Sequence, residues 1–278
     1  MIKLGICNEL FEHMSFGHVC GVVKRLGYDG IELAPYTIVA PNATAKLVTA
    51  IAPPTRELLR KTADKYGLEI IGLHWVLAQT EGLHVSHPDD AVRQRTTEYM
   101  VELVRFCHDL GGKIIVFGSP KQRDLLEGVS LDEAWSRWQE TFRPAARVAN
   151  ECGVTICMEP LARSISNIMN RAEAAVRFAQ EMNEPSVKII LDCYSMGDEA
   201  TPRADLIRQH AQWLAHVHAN DVNEQGPGMA EHGTDFAVVF EALKEIGYDG
   251  YVSVESFDFT PGAEATARRS MECLRACR

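Results

Sequence analysis

Six short apolar runs in this sequence finish on, or within a residue or two of, a side chain that ionises. Glu32 sits in GIEL, His74 closes LEIIGLH, Glu159 follows VTICM, Asp192 closes VKIIL, His216 and His218 fall in LAHVHA, and Glu255 closes YVSV. Solubility does not require acids in such places. Each would be costly to bury unpaired, and carboxylates gathered together raise one another's proton affinity. A divalent cation resolves both problems. Glu159, Asp192, His218 and Glu255 form a mostly oxygen-donor set, which favours Mn2+, with Mg2+ or Co2+ as alternatives. Structural Zn2+ prefers Cys and His, although Zn2+ remains compatible with these donors. No two of the four have tight motif spacing, so the signal lies in their placement at run ends.

The other ionisable groups have bland readings beside functional ones. Glu32 would either touch substrate or pair with a Lys or Arg across the mouth of the fold. His74, next to Trp75, is either a packed ring or a substrate contact. Strand alternation is expected to turn only one of His216 and His218 inward, leaving the other among the helices.

The elements that must position these groups repeat one pattern: a helical stretch, a glycine turn, then a β-rich run. Examples are Leu26-Gly27 into IEL, Tyr66-Gly67 into LEIIG, Gly111-Gly112 into KIIVF, and Cys152-Gly153 into VTICM. Glycine suits a helix C-terminus because the left-handed conformation costs it little. The tetrapeptide Gly-Tyr-Asp-Gly occurs at 27–30 and again at 247–250. Strands are predicted at 2–7, 30–34, 68–74, 113–118, 154–159, 187–192, 214–219 and 251–255. Most are continuously apolar, as in parallel strands covered on both faces. Between them, Met100, Leu103, Val104 and Cys107 share one helical face. Ser130 with Glu133, and Asn170 with Glu173, have capping spacing. Thr201-Pro202 and Thr260-Pro261 read as helix starts. Eight strands alternating with eight helices predict a single (β/α)8 TIM barrel over residues 1–278. An open doubly wound sheet is the competitor. Neither GxGxxG after the first strand nor GxxxxGK[ST] occurs, which removes the usual support for a nucleotide fold. In a barrel, catalytic groups collect at the C-terminal strand ends, where the six runs place theirs.

Composition agrees. The chain has 278 residues, 46% hydrophobic and 24% charged, with a net charge of −10. That charge argues against a nucleic-acid partner. No apolar run approaches the roughly 20 residues that cross a bilayer, so no membrane partner is expected. The start, MIKLGICNEL, lacks a signal-peptide pattern. The eight cysteines include no CxxC and read as reduced, mostly buried thiols. A cytoplasmic location is therefore expected. The aromatic clusters Trp135/Trp138 and Tyr248/Tyr251 would serve an interface or pack helix against barrel.

Taken together, MEP (158–160), Leu191-Asp192 to Met196, HVHAND (216–221), the Pro-Gly loop (227–228) before HGTDF (232–236), and SVESF (253–257) resemble the xylose isomerase-like TIM barrels. That superfamily includes ketose 3-epimerases and hydroxypyruvate isomerase. LGYDGIEL and GLHWVL fit it too, so the resemblance covers nearly the whole chain. It implies one divalent metal ion per chain on Glu159, Asp192, His218 and Glu255. It also makes Glu159 and Glu255 the acid/base pair of a sugar isomerase or epimerase. The metal would acidify the C–H beside a keto group, and the two glutamates would move the proton through an enediolate. A small carbohydrate substrate and a homo-oligomer, dimer or tetramer, are implied as well. Two departures matter. Ser195 stands where the ketose 3-epimerases have a substrate-contacting His, and Glu224 where they have an Arg. The substrate would then present other groups, for instance a carboxylate or phosphate, with Lys121 and Arg123 after the fourth strand as anion clamps. On the same scaffold, a sugar dehydratase is the alternative. An endonuclease IV-like enzyme lacks support, since its histidine-rich cluster would need a histidine at Ser195. A non-catalytic barrel would leave the four donors unexplained.

Overall fold

The computed structural model describes residues 1–40 and 46–278. Eight parallel strands close into a barrel in sequence order: β1 (Lys3–Cys7), β2 (Gly30–Leu33), β3 (Glu69–Leu73), β4 (Ile114–Phe117), β5 (Thr155–Met158), β6 (Val187–Asp192), β7 (Leu214–Ala219) and β8 (Tyr251–Val254). The seam is a regular ladder, with Lys3 opposite Tyr251 and Ile6 opposite Val254. All eight predicted strands are present, most trimmed by a residue at one or both ends, and the open sheet is excluded.

The described helices are α1 (Phe16–Leu26), the single turn α2 (Pro35–Ile38), α3 (Pro53–Tyr66), α4 (Asp90–Asp109), α5 (Leu131–Cys152), α6 (Ala172–Met182), α7 (Arg203–Gln209), α8 (Phe236–Glu245) and α9 (Ala263–Cys277). Gly27, Gly67 and Gly153 end α1, α3 and α5 with φ of 99°, 65° and 64°. Ser130 and Glu133 form the expected capping box at α5. Met100, Leu103, Val104 and Cys107 are all buried on α4.

Three helix starts differ from expectation. At α6 the cap position is Arg171, and the Asn170 amide instead donates to the carbonyls of Leu161 and Ser166, bracing the preceding loop. Helix α7 is capped by Pro202 and α9 by Gly262, so Thr201 and Thr260 lie outside the helices.

The main apolar core fills the layer between strands and helices, and a smaller cluster of Val116, Cys157 and Ile190 lies apart from it. Trp138 is fully buried, edge-on to Phe117 and Phe178, and Trp135 packs on Phe178. The Tyr248 hydroxyl donates to the Tyr251 carbonyl. Both aromatic clusters therefore pack within the chain. All eight cysteines are free thiols. No helix among the described residues is long and apolar enough to cross a membrane.

Candidate metal centre and active site

Glu159 follows β5, Asp192 ends β6, His218 lies near the end of β7, and Glu255 follows β8. One ligating atom from each lies within 4.8 Å of the other three, although the four come from separate strands. All are nearly buried, at 4%, 3%, 0% and 7% exposure. Asp192 Oδ1 accepts the Ser195 backbone N–H at 2.7 Å, whereas Asp192 Oδ2 is buried without a partner. His218 Nδ1 faces Glu255 Oε2 at 3.2 Å without forming a hydrogen bond.

The electrostatics show the crowding. Burial and the neighbouring Glu255 push the Glu159 carboxyl well above the usual range. The same two causes push Asp192 up to about 6. Glu255 goes the other way: burial would raise it, but the His218 imidazole holds it below the ordinary value. Orphaned lone pairs on an acid and an imidazole, with two carboxyls resisting ionisation, fit a divalent cation held by these four side chains.

The carboxylate of Glu159 reaches this position because residue 118 has no side chain. A Cβ on Gly118 would stand 1.6 Å from Glu159 Oε2. Beneath the main chain, the fully buried Arg123 guanidinium donates to the Glu159 carbonyl at 2.7 Å. Its face stacks over Trp138 and Phe117, at 5.0 and 5.6 Å from the ring centroids. Arg123 is thus not an anion clamp; carbonyls and aromatic faces have replaced water around it. Lys121 is exposed and does not line the cavity.

Glu32 and His74 are both fully buried and neither lines the cavity: Glu32 fits neither of its expected roles, whereas His74 takes its packed one. Glu32 Oε2 lies 2.7 Å from His216 Nε2, and Oε1 lies 3.2 Å from His218 Nε2. Strands β2 and β7 are not neighbours, so these contacts cross the barrel interior. Both histidines point inward. Residues two apart on a strand share a face, and the expectation that alternation separates them was wrong. His216 is the outer support of the network and His218 the ligand candidate. With Glu32 accepting at Nε2, the Nδ1 lone pair of His218 is left for a cation, a common carboxylate–histidine–metal arrangement. Despite full burial, which opposes ionisation, the two imidazoles hold Glu32 well below the carboxylate range. His74 Nε2 bonds Glu9 Oε2 at 2.6 Å, again between fully buried side chains.

Above the four donors lies a small cavity of about 140 Å³. Trp75, Leu161, Ile165 and Phe257 give it apolar walls, and Ser195, Asn220 and Glu224 add polar groups. Trp75 stands edge-on to Phe257 at 5.0 Å and to Tyr36 at 5.6 Å. Of the residues not foreseen, Asn220 and Asp221 shape the rim. Asn220 Oδ1 accepts Tyr194 N–H at 2.7 Å. The Asp221 carboxylate accepts the backbone N–H groups of Val222, Gly228 and Thr234, tying down the loop after β7. A short acid two residues past a strand and before a glycine-containing loop was the available signal. Glu9 had none beyond standing two residues past β1.

Comparison with known proteins agrees with this geometry. The family described as xylose isomerase-like TIM barrel matches residues 20–277. D-psicose 3-epimerase of Enterocloster bolteae is 34% identical over 256 residues, covering 90% of this chain and 80% of the relative. The match to D-psicose 3-epimerase of Ruminiclostridium cellulolyticum is 29% identical and spans 63% of this chain but 59% of the relative. Among solved structures, D-psicose 3-epimerase with D-tagatose from Clostridium cellulolyticum superposes with a TM-score of 0.84 at 22% identity, covering 100% of this chain and 98% of that one. These relatives are named as epimerases, a class of isomerase. From the closed barrel and the family match together, the chain belongs to the xylose isomerase-like TIM-barrel family.

Proposed function

We propose that this protein is a metal-dependent epimerase of small keto sugars. The observation that carries the reading is the convergence of Glu159, Asp192, His218 and Glu255 beneath a cavity at the barrel mouth. A divalent ion held there, Mn2+ by preference, would supply Lewis acidity toward a keto sugar. Glu159 and Glu255 both line the cavity and serve as the acid/base pair. One takes the proton from the carbon beside the carbonyl, and the other delivers a proton to the opposite face, inverting that carbon. Glu159, Asp192, His218 and Glu255 would hold the ion, and Glu32 fixes the His218 ring. Trp75 and Phe257 shield the reacting face from water. Relatives named as psicose, ribulose and 3-dehydro-D-guloside epimerases support a carbohydrate substrate.

The test is solvent deuterium incorporation into a panel of ketoses with Mn2+ supplied. Exchange with retention of substrate mass, apart from the label, is expected; loss of water would replace epimerisation by dehydration. Glu159→Gln and Glu255→Gln should each abolish exchange while the folded state persists. Wild-type exchange in either variant removes the acid/base assignment. Chelation should lower the melting temperature, because an ion at 100 times its Kd stabilises the fold by about 2.7 kcal/mol.

A further inference from the structure

The cavity has one acid that the cation does not need. Glu224 lines it beside Glu255, yet its carboxylate has no hydrogen bond or ion pair to any described residue. Its main chain is held at unusual cost. Asn223 and Glu224 are consecutive non-glycine residues with φ of 59° and 58°, a conformation that L residues seldom adopt. The surrounding hydrogen bonds impose it. The Glu224 carbonyl accepts Phe257 N–H at 3.0 Å, Asp258 N–H at 3.3 Å and the Ser256 hydroxyl at 3.3 Å. Gln225 is tied on both sides, its carbonyl accepting Asp221 N–H at 2.6 Å and its amide donating to Asp258 at 3.0 Å. The loops after β7 and β8 are thereby joined, and the joint presents a carboxylate to the cavity.

The charge around it has one sign. Four carboxylates line the cavity, and among the described residues no Lys or Arg does. A divalent ion offsets two of those charges, so the bound sugar meets a surface that is still negative. We propose that Glu224 determines substrate class: its carboxylate accepts hydrogen bonds from sugar hydroxyls at this wall, and it repels esters and acids. The site therefore takes uncharged keto sugars and rejects sugar phosphates and sugar acids. This rests on the reading of the cavity as a keto-sugar site, and it reverses the expectation of an anionic substrate held by Lys121 and Arg123.

The test measures binding, separately from turnover. D-fructose and D-fructose 6-phosphate are titrated into the Mg2+-loaded protein and followed by ligand-observed NMR. Wild type should bind D-fructose at least about tenfold more tightly than the phosphate ester. Glu224→Gln, which keeps shape and loses charge, should weaken D-fructose about tenfold, the effect of losing a charged acceptor, and narrow the discrimination. Glu224→Lys should reverse the preference. Three results overturn the proposal: the ester binding wild type as tightly as the free sugar, neither sugar binding, or Glu224→Gln leaving both affinities within twofold. If discrimination follows Glu224 but no ketose exchanges its proton, the epimerase reading fails and the role of Glu224 stands.

Discussion

Replacing Gly118 by Ala tests how the acid after β5 is aimed. The added Cβ would lie 1.6 Å from Glu159 Oε2 and 2.8 Å from its Cδ, whereas comfortable heavy-atom contact begins near 3.5 Å. The carboxylate must swing away by about 2 Å. A misplacement of about 1 Å costs a reacting group roughly 100-fold, so proton exchange should fall about 100- to 1,000-fold. Affinity for Mn2+, followed by calorimetry, should fall with it. Overpacking should cost about 1–3 kcal/mol in urea unfolding. Gly21→Ala is the matched control, since its Cβ would make ordinary contact with Tyr66 at 3.5 Å. On α1 it should stabilise the fold by about 0.5–1 kcal/mol and leave exchange alone. Wild-type exchange and metal affinity in Gly118→Ala would refute the placement of Glu159.

Three other perturbations separate the supporting groups. Glu32→Gln deprives His216 and His218 of their shared carboxylate and should lower metal affinity about 10- to 100-fold; an unchanged titration would show that the His218 ring needs no such support. Arg56 is 9% exposed and donates to Ile51, Glu102 and Asp109, so Arg56→Ala should cost about 2 kcal/mol, read as a lower urea midpoint at constant slope. His84 Nδ1 accepts the Ser86 N–H at 3.2 Å, and burial lowers its pKa. Below about pH 6.5 the unfolded chain protonates this histidine while the folded chain resists. Its stabilising contribution is therefore present above that pH and lost as pH falls through the folded pKa, at up to about 1.4 kcal/mol per unit. His84→Asn should flatten the acid-side decline in melting temperature, and an identical decline would locate the sensitivity elsewhere.

The strands and the four donors were legible in the sequence for one reason. Apolar β-rich runs closing on an acid or a histidine record both the barrel layer and its reactive rim in a few contiguous residues. What escaped depended on partners far along the chain. Arg123 reads as a solvated loop cation until Trp138, Glu159 and Ile168 are brought around it. Glu32 meets its histidines 184 and 186 residues away, across an interior that no local pattern describes. Asn170 has the spacing of a helix cap, but the loop carbonyls of Leu161 and Ser166 compete for its amide and win.

The seam between β1 and β8 links assembly of the centre to closure of the barrel. Glu255 follows the last strand, while the carboxylate that steadies His218 lies on the second. A growing polypeptide thus cannot form the candidate ion-binding cluster until the eighth strand has emerged and met the first. Tight capture of a cation would then report that the ring has closed, and a chain truncated before residue 255 would lack that signal however much of the sheet had formed.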